Sequence, residues 1–141
     1  YDFIWSSPPC ITHSRLTYIH HYYNKKSRYP DMTLYQEIIF LQSFCKALWC
    51  VENVNPYYNP LIKPTIKIGR HLFWSNFNIL QSNITDIKIY GKEIKEFEIE
   101  YNISLKKYNL KPIKRRQILR NYINPEIGKY ILDCGLKSKG A

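Results

Sequence analysis

Two residues of this 141-residue sequence have a type and a setting suited to covalent chemistry: Cys10 and Glu52. Cys10 ends the run Ser7-Pro8-Pro9-Cys10, directly after the apolar stretch Phe3-Ile4-Trp5. Residues 2–7 read as a short buried strand that small residues and two prolines bring to an end. The cysteine then stands just beyond the carboxyl end of that strand, where open α/β sheets hold their ligands. Glu52 follows Ala47-Leu48-Trp49-Cys50-Val51, apolar on both faces as a parallel strand buried in an α/β sheet tends to be. A carboxyl group after five apolar residues is costly unless it is paired, exposed at a strand end or functional. A thiolate is a nucleophile and a carboxyl group a general acid, so neighbouring strand tips carrying the two define a nucleophilic site with acid assistance. Cys10 by itself reads equally well as an inert thiol behind a Pro-Pro turn; the second residue is what shifts the reading.

The elements that must position this pair can be read from the pattern between and beyond them. Asp31 is placed to cap a helix running to about residue 46, because Leu34, Ile38, Leu41 and Cys45 recur at three and four residues and share a face. The order is therefore strand, helix, strand. Pro56, Pro60 and Pro64 make the next connection irregular, and two short strands are expected at 65–68 and 71–77, separated by Gly69. Residues 81–116 are polar, charged and weakly patterned. Two helical pieces come next, broken at Asn124-Pro125. Residues 8–30 read as a loop, in which Arg15, Lys25, Lys26 and Arg28 interleave with Tyr18, Tyr22, Tyr23 and Tyr29, a mixture suited to gripping a phosphate backbone.

Charge points the same way. The formal net charge is +10, which favours a polyanionic partner through counterion release, although the abundance of Lys, Asn, Ile and Tyr also fits a coding bias toward A and T. The four cysteines, Cys10, Cys45, Cys50 and Cys134, form no Cys-x-x-Cys pair, and His13, His20, His21 and His71 lack ligand spacing, so neither a zinc site nor a disulfide framework is expected. No signal peptide is visible and no apolar run approaches the ~18 residues of a membrane span. Reduced thiols and the cytosol are the default. The chain begins at Tyr1 and is apolar almost at once, which leads us to expect a chain opened inside a fold.

Taken together, these blocks resemble the cytosine 5-methyltransferases, most closely the short phage and bacterial members. The resemblance rests on Pro8-Pro9-Cys10, Asp31-Met32-Thr33-Leu34, Glu52-Asn53-Val54, Gly69-Arg70-His71 before Leu72-Phe73-Trp74, and Arg120-Asn121-Tyr122-Ile123-Asn124-Pro125, in that order over nearly the whole chain. It implies an α/β fold: a partial Rossmann-like sheet of the class I methyltransferase type lacking its first strands, with a small basic variable lobe. Residues 1–80 would be the catalytic part, 81–116 a short target-recognition lobe, and 117–141 the C-terminal helices. It implies that Cys10 adds to carbon 6 of a cytosine flipped out of double-stranded DNA, that Glu52, with a raised pKa, supports ring nitrogen 3, and that Arg70 or His71 fills the arginine block, with Arg70 the choice here. Arg70 or Arg15 would help lower the cysteine pKa. S-adenosylmethionine is the implied cofactor, near Pro9, Thr33, Leu34 and Asn121; DNA would meet Ser14, Arg15, Lys25, Lys26 and Arg28. The compartment would be the cytoplasm of a bacterial or phage-infected cell.

The family's glycine-rich motif and the acidic residue that hold the cofactor are not in this sequence. The chain alone is therefore expected to bind the cofactor poorly and to need a complementing N-terminal segment for activity. Two other readings stand beside this one. An amino-methyltransferase uses Ser-Pro-Pro-aromatic, which Ser7-Pro8-Pro9 fits and Cys10 breaks. A non-catalytic DNA-binding fragment, or one subunit of a split methyltransferase, is the other.

Overall fold

The β-branched and aromatic run at Phe3–Ser6 forms strand β1, and Leu48–Val54 forms β2. They pair in parallel, Phe3 opposite Leu48 through Ser6 opposite Val51. These relations come from a computed structural model, which describes residues 1–15, 18, 19, 23, 29–81, 83–86 and 91–140. Parallel strands need a crossover, and helix α1, Thr33–Phe44, lies in it. Strands β3, Ile66–Ile68, and β4, His71–Ser75, form an antiparallel hairpin. Since β4 also runs antiparallel to β2, the sheet is mixed, in the order β1-β2-β4-β3.

The two-residue period of β2 sorts its side chains between two helices. On one face Trp49 and Val51, with Leu72 and Trp74 of β4, pack against Leu34, Tyr35, Ile38 and Leu41 of α1. On the other face Cys50 and Phe73 pack with Phe77, Ile79, Ile127 and Ile131, the last two from helix α4, Pro125–Lys139. The result is a mixed α/β arrangement with helices on both sides of the sheet. Packing dominates its stability: each fully buried aliphatic side chain contributes about 1.5–3 kcal/mol, against about 1 kcal/mol for a good helix cap. Asp31 does act at the start of α1, its carboxylate accepting from the Thr33 amide and hydroxyl.

Residues 91–122 build a smaller cluster of their own. Helix α2, Ile94–Glu100, and helix α3, Pro112–Asn121, bring Phe97, Tyr101, Leu105 and Leu119 together. The weak patterning expected over 81–116 concealed this unit, because its apolar residues are few and scattered. The expected 116/117 boundary falls inside α3. The break at Asn124-Pro125 is present, and Asn124 caps α4 by accepting from the Glu126 amide.

The expected loop over 8–30 needs correction where it is described. Arg15, Tyr18, Ile19 and Tyr23 have helical backbone, and the Tyr18 amide donates to the Ser14 carbonyl. Charge and aromatic interleaving set the outer face of a segment without deciding its backbone. Among the described residues no helix is long and apolar enough to cross a membrane.

Gly69 turns the β3–β4 hairpin with φ +57°, and a Cβ built there would lie 2.2 Å from the Asp86 Cβ. Both the left-handed backbone and the close approach demand glycine. Gly69→Ala should therefore destabilise the protein by about 1–3 kcal/mol, read as a lower urea midpoint; an unchanged midpoint would show that Asp86 does not need this approach.

Candidate active site

The chain leaving β1 and the middle of β2 are tied together. Asn53 Nδ2 donates to the Pro8 carbonyl at 2.9 Å, which pins the Pro-Pro turn against β2 and sets Cys10 at the sheet edge. Cys10 is half-buried. The apolar run places Glu52 beyond the end of its strand. Instead β2 continues through Val54, and Glu52 sits within it opposite Phe73, 7% exposed. Pairing with β4 extends the strand, and that partner cannot be read from the apolar run alone.

Glu52 and Cys10 feel each other's charge. Burial raises the thiol above its ordinary value and the Glu52 carboxylate raises it further, while Arg70 pulls it down by less. Arg70 lowers the thiol pKa as expected, but desolvation and a neighbouring anion outweigh it, so the net displacement is upward. Arg15 contributes nothing to this; its Nε donates to the Pro56 carbonyl at 3.2 Å. Burial lifts Glu52 to about 7, against the opposing effects of a hydrogen bond from Ser7 and the charge of Arg70. Ser7 is itself oriented, because its Oγ accepts from Trp5 Nε1 at 2.9 Å.

Arg70 is held from two sides. Its Nε meets Asp86 Oδ2 at 3.1 Å, and its Nη2 donates to the Tyr122 carbonyl at 3.0 Å. His71, 2% exposed, lies between two acids, Nε2 3.6 Å from Glu52 and Nδ1 3.3 Å from Asp86. Proximity alone suggests ion pairs, but burial and the adjacent Arg70 hold the imidazole well below its ordinary pKa. We therefore read His71 as neutral near pH 7, with Nδ1 lacking a well-formed hydrogen bond among the described residues. Among the described residues Arg70 is the cation whose field reaches both Cys10 and Glu52.

Other expected site residues are scattered. Pro9 is exposed on the turn after β1, and the Thr33 hydroxyl is engaged with Asp31. Leu34 is 2% exposed in the α1 core, and Asn121 is exposed at the end of α3. The Leu34 side chain is sealed within the core, which leaves only its backbone to meet a ligand. Ser14 bridges to Pro56. Lys25, Lys26 and Arg28 lie outside the described residues.

Three participants were missed in the sequence: Ser7, which orients Glu52; Asn53, which pins the turn; and Asp86, which anchors Arg70. Asp86 had a signal. It is the sole acid between Glu52 and Glu93, and it becomes 4% exposed beside the site. Comparison with protein-family models, curated proteins and solved structures finds no match.

The buried carboxyl has two measurable consequences. Its folded pKa of about 7 exceeds the ordinary 4.5, so its contribution to stability is whole below pH 4.5 and is lost as pH rises through 7. At about 1.4 kcal/mol per pH unit, the 2.5-unit difference costs about 3 kcal/mol at pH 8. Glu52→Gln should accordingly be more stable than wild type at pH 8 by up to that amount and near parity at pH 4, measured by urea unfolding; equal stability at both would mean the carboxyl is solvated. The same substitution removes an anion from beside the thiol, so alkylation of Cys10 by iodoacetamide at pH 8 should be several-fold faster. A slower reaction would place the two groups apart.

Proposed function

We propose that this chain carries the base-activating chemistry of a DNA cytosine 5-methyltransferase, with Cys10 as nucleophile and Glu52 as acid. The observation that carries the reading is the electrostatic convergence of a half-buried thiol just beyond β1, a buried carboxyl of raised pKa within β2 and one guanidinium from the β3–β4 turn. The order of the sequence blocks supports it, as does the net charge of +10.

Carbon 5 of cytosine is a weak nucleophile. In the proposed step the Cys10 thiolate forms a bond to carbon 6, the C5–C6 π pair moves toward C4, and N3 takes the proton that Glu52 gives up. Carbon 5 becomes enamine-like and open to an electrophile; S-adenosylmethionine, when bound, would supply one as its methyl group. Without a methyl donor carbon 5 accepts a proton from solvent. Loss of the original C5 proton, expulsion of the thiolate and return of the N3 proton to Glu52 then restore cytosine with solvent hydrogen at C5.

The pKa directions set which protonation state reacts. Glu52 titrates near 7 and Cys10 above its ordinary value, so between the two the pair holds one proton, mostly on sulfur. Passing that proton from thiol to carboxylate gives thiolate and acid together, with no exchange of protons with solvent. Reactivity therefore tracks the singly protonated pair rather than the acid form of Glu52 alone.

Deuterium incorporation at C5 of cytosine in duplex DNA, without a methyl donor, tests this. Wild-type chain should catalyse it, Cys10→Ser should abolish it, and Glu52→Gln should lower it by about 10²–10⁴-fold. The rate should rise with pH through about 7 and stay level until the thiol itself ionises. Absence of exchange with wild type would sink the proposal, and it is also the result the amino-methyltransferase reading gives, since chemistry at the exocyclic nitrogen leaves C5 untouched.

A further inference from the structure

Helix α3 has two faces of opposite character. Arg115, Ile118, Leu119 and Tyr122 recur at three and four residues and face inward. Leu119 is fully buried, Ile118 and Tyr122 pack beside it, and Arg115 pairs with Glu98 at 2.6 Å. The opposite stripe, Ile113, Arg116, Gln117, Arg120 and Asn121, has the same spacing and lines an open groove of about 480 Å³ together with Lys114. Residues 111–121 hold five cations, Lys111, Lys114, Arg115, Arg116 and Arg120, and no acid. Among the described residues only Arg115 of these five is ion-paired.

A solvated face is the ordinary fate of such a stripe, but three features distinguish this one. Its cations have no carboxylate interleaved, so their mutual repulsion is uncompensated within the helix. The helix is anchored to its lobe by a buried leucine and a part-buried ion pair, which hold the face in place. The polar groups among the cations are amides, Gln117 and Asn121, which offer both donors and acceptors to base edges. A membrane-surface helix would instead carry an apolar face outward, and α3 turns its apolar face inward.

We propose that the outer face of α3 is a docking surface for the sugar-phosphate backbone of duplex DNA, engaged through Lys114, Arg116 and Arg120. The partner rests on the function proposed above, although the surface stands on its own charge. It lies in the lobe, on an element separate from the expected contacts at residues 14–28. Each phosphate neutralised releases counterions and steepens the dependence of affinity on salt by about 0.9 in the log–log slope.

The test is binding of the 141-residue chain to a labelled DNA duplex across a salt series, by fluorescence anisotropy. A variant carrying Lys114→Gln, Arg116→Gln and Arg120→Gln is compared with a charge-matched control carrying Lys46→Gln, Lys63→Gln and Lys129→Gln, all exposed elsewhere. The α3 variant should bind about tenfold or more weakly at 0.1 M salt, with a slope shallower by about 2–3, while the control stays near wild type. Unfolding midpoints of both variants should stay near wild type, because none of these side chains belongs to an apolar core cluster. Equal losses in the two variants would reduce the effect to bulk charge and overturn the proposal, as would an α3 variant that binds like wild type. Anionic vesicles bound in preference to DNA, with the same loss in the variant, would overturn the choice of partner. A chain that binds DNA through α3 yet catalyses no exchange at C5 would uphold this surface and refute the catalytic reading.

Discussion

The parallel pairing of β1 with β2 is the constraint on which the site depends. Alone, it would bring two strand ends to one edge and leave the chain beyond them free to wander. The Asn53 hydrogen bond to the Pro8 carbonyl removes that freedom, because it holds the turn residues against β2 while their prolines forbid continuation of the strand. The thiol of Cys10 therefore comes to rest within electrostatic reach of Glu52. Two short strands of modest stability are held in place by helices on both faces, so the site inherits its geometry from the core clusters beneath it.

Burying Glu52 has consequences in two directions. A carboxylate inside a sheet loses hydration that one serine hydroxyl and a guanidinium only partly replace, so the neutral form gains ground. That cost to stability accompanies a gain in proton affinity: the buried carboxyl is a weaker acid, and its carboxylate a stronger base, than in water. Under the proposed reaction, stability and reactivity are opposed at this one residue, a pattern common where pKa values are displaced for chemistry. His71 and Asp86 frame the carboxyl without adding charge balance from the imidazole, and Arg70 is left as the cation that offsets the acids.

Arg70 also links the smaller unit to the sheet. Its contacts with Asp86 and with the Tyr122 carbonyl tie the hairpin to the end of α3, and the Tyr101 hydroxyl donates to the same carbonyl at 3.2 Å. The lobe that presents the basic α3 face is thus joined to the residue whose charge reaches Cys10. Gly69 makes this possible by leaving room for Asp86 where any side chain would collide.

Local sequence determined the elements whose cues are short-range: the strand before Pro8, the apolar spacing of α1, the turn at Gly69 and the break at Asn124-Pro125. It also made Cys10 and Glu52 the residues to watch, since chemical type and apolar context are properties of neighbouring positions. Tertiary structure decided everything that depends on distant partners. Pairing with β4 carried β2 on through Glu52, burial outweighed the lowering of the Cys10 pKa by Arg70, and packing took the Leu34 side chain into the core. Asp86 joined the site from 34 residues beyond Glu52. Desolvation and long-range pairing are set by which surfaces meet, and the periodicity of a single segment carries no information about the segment that will cover it.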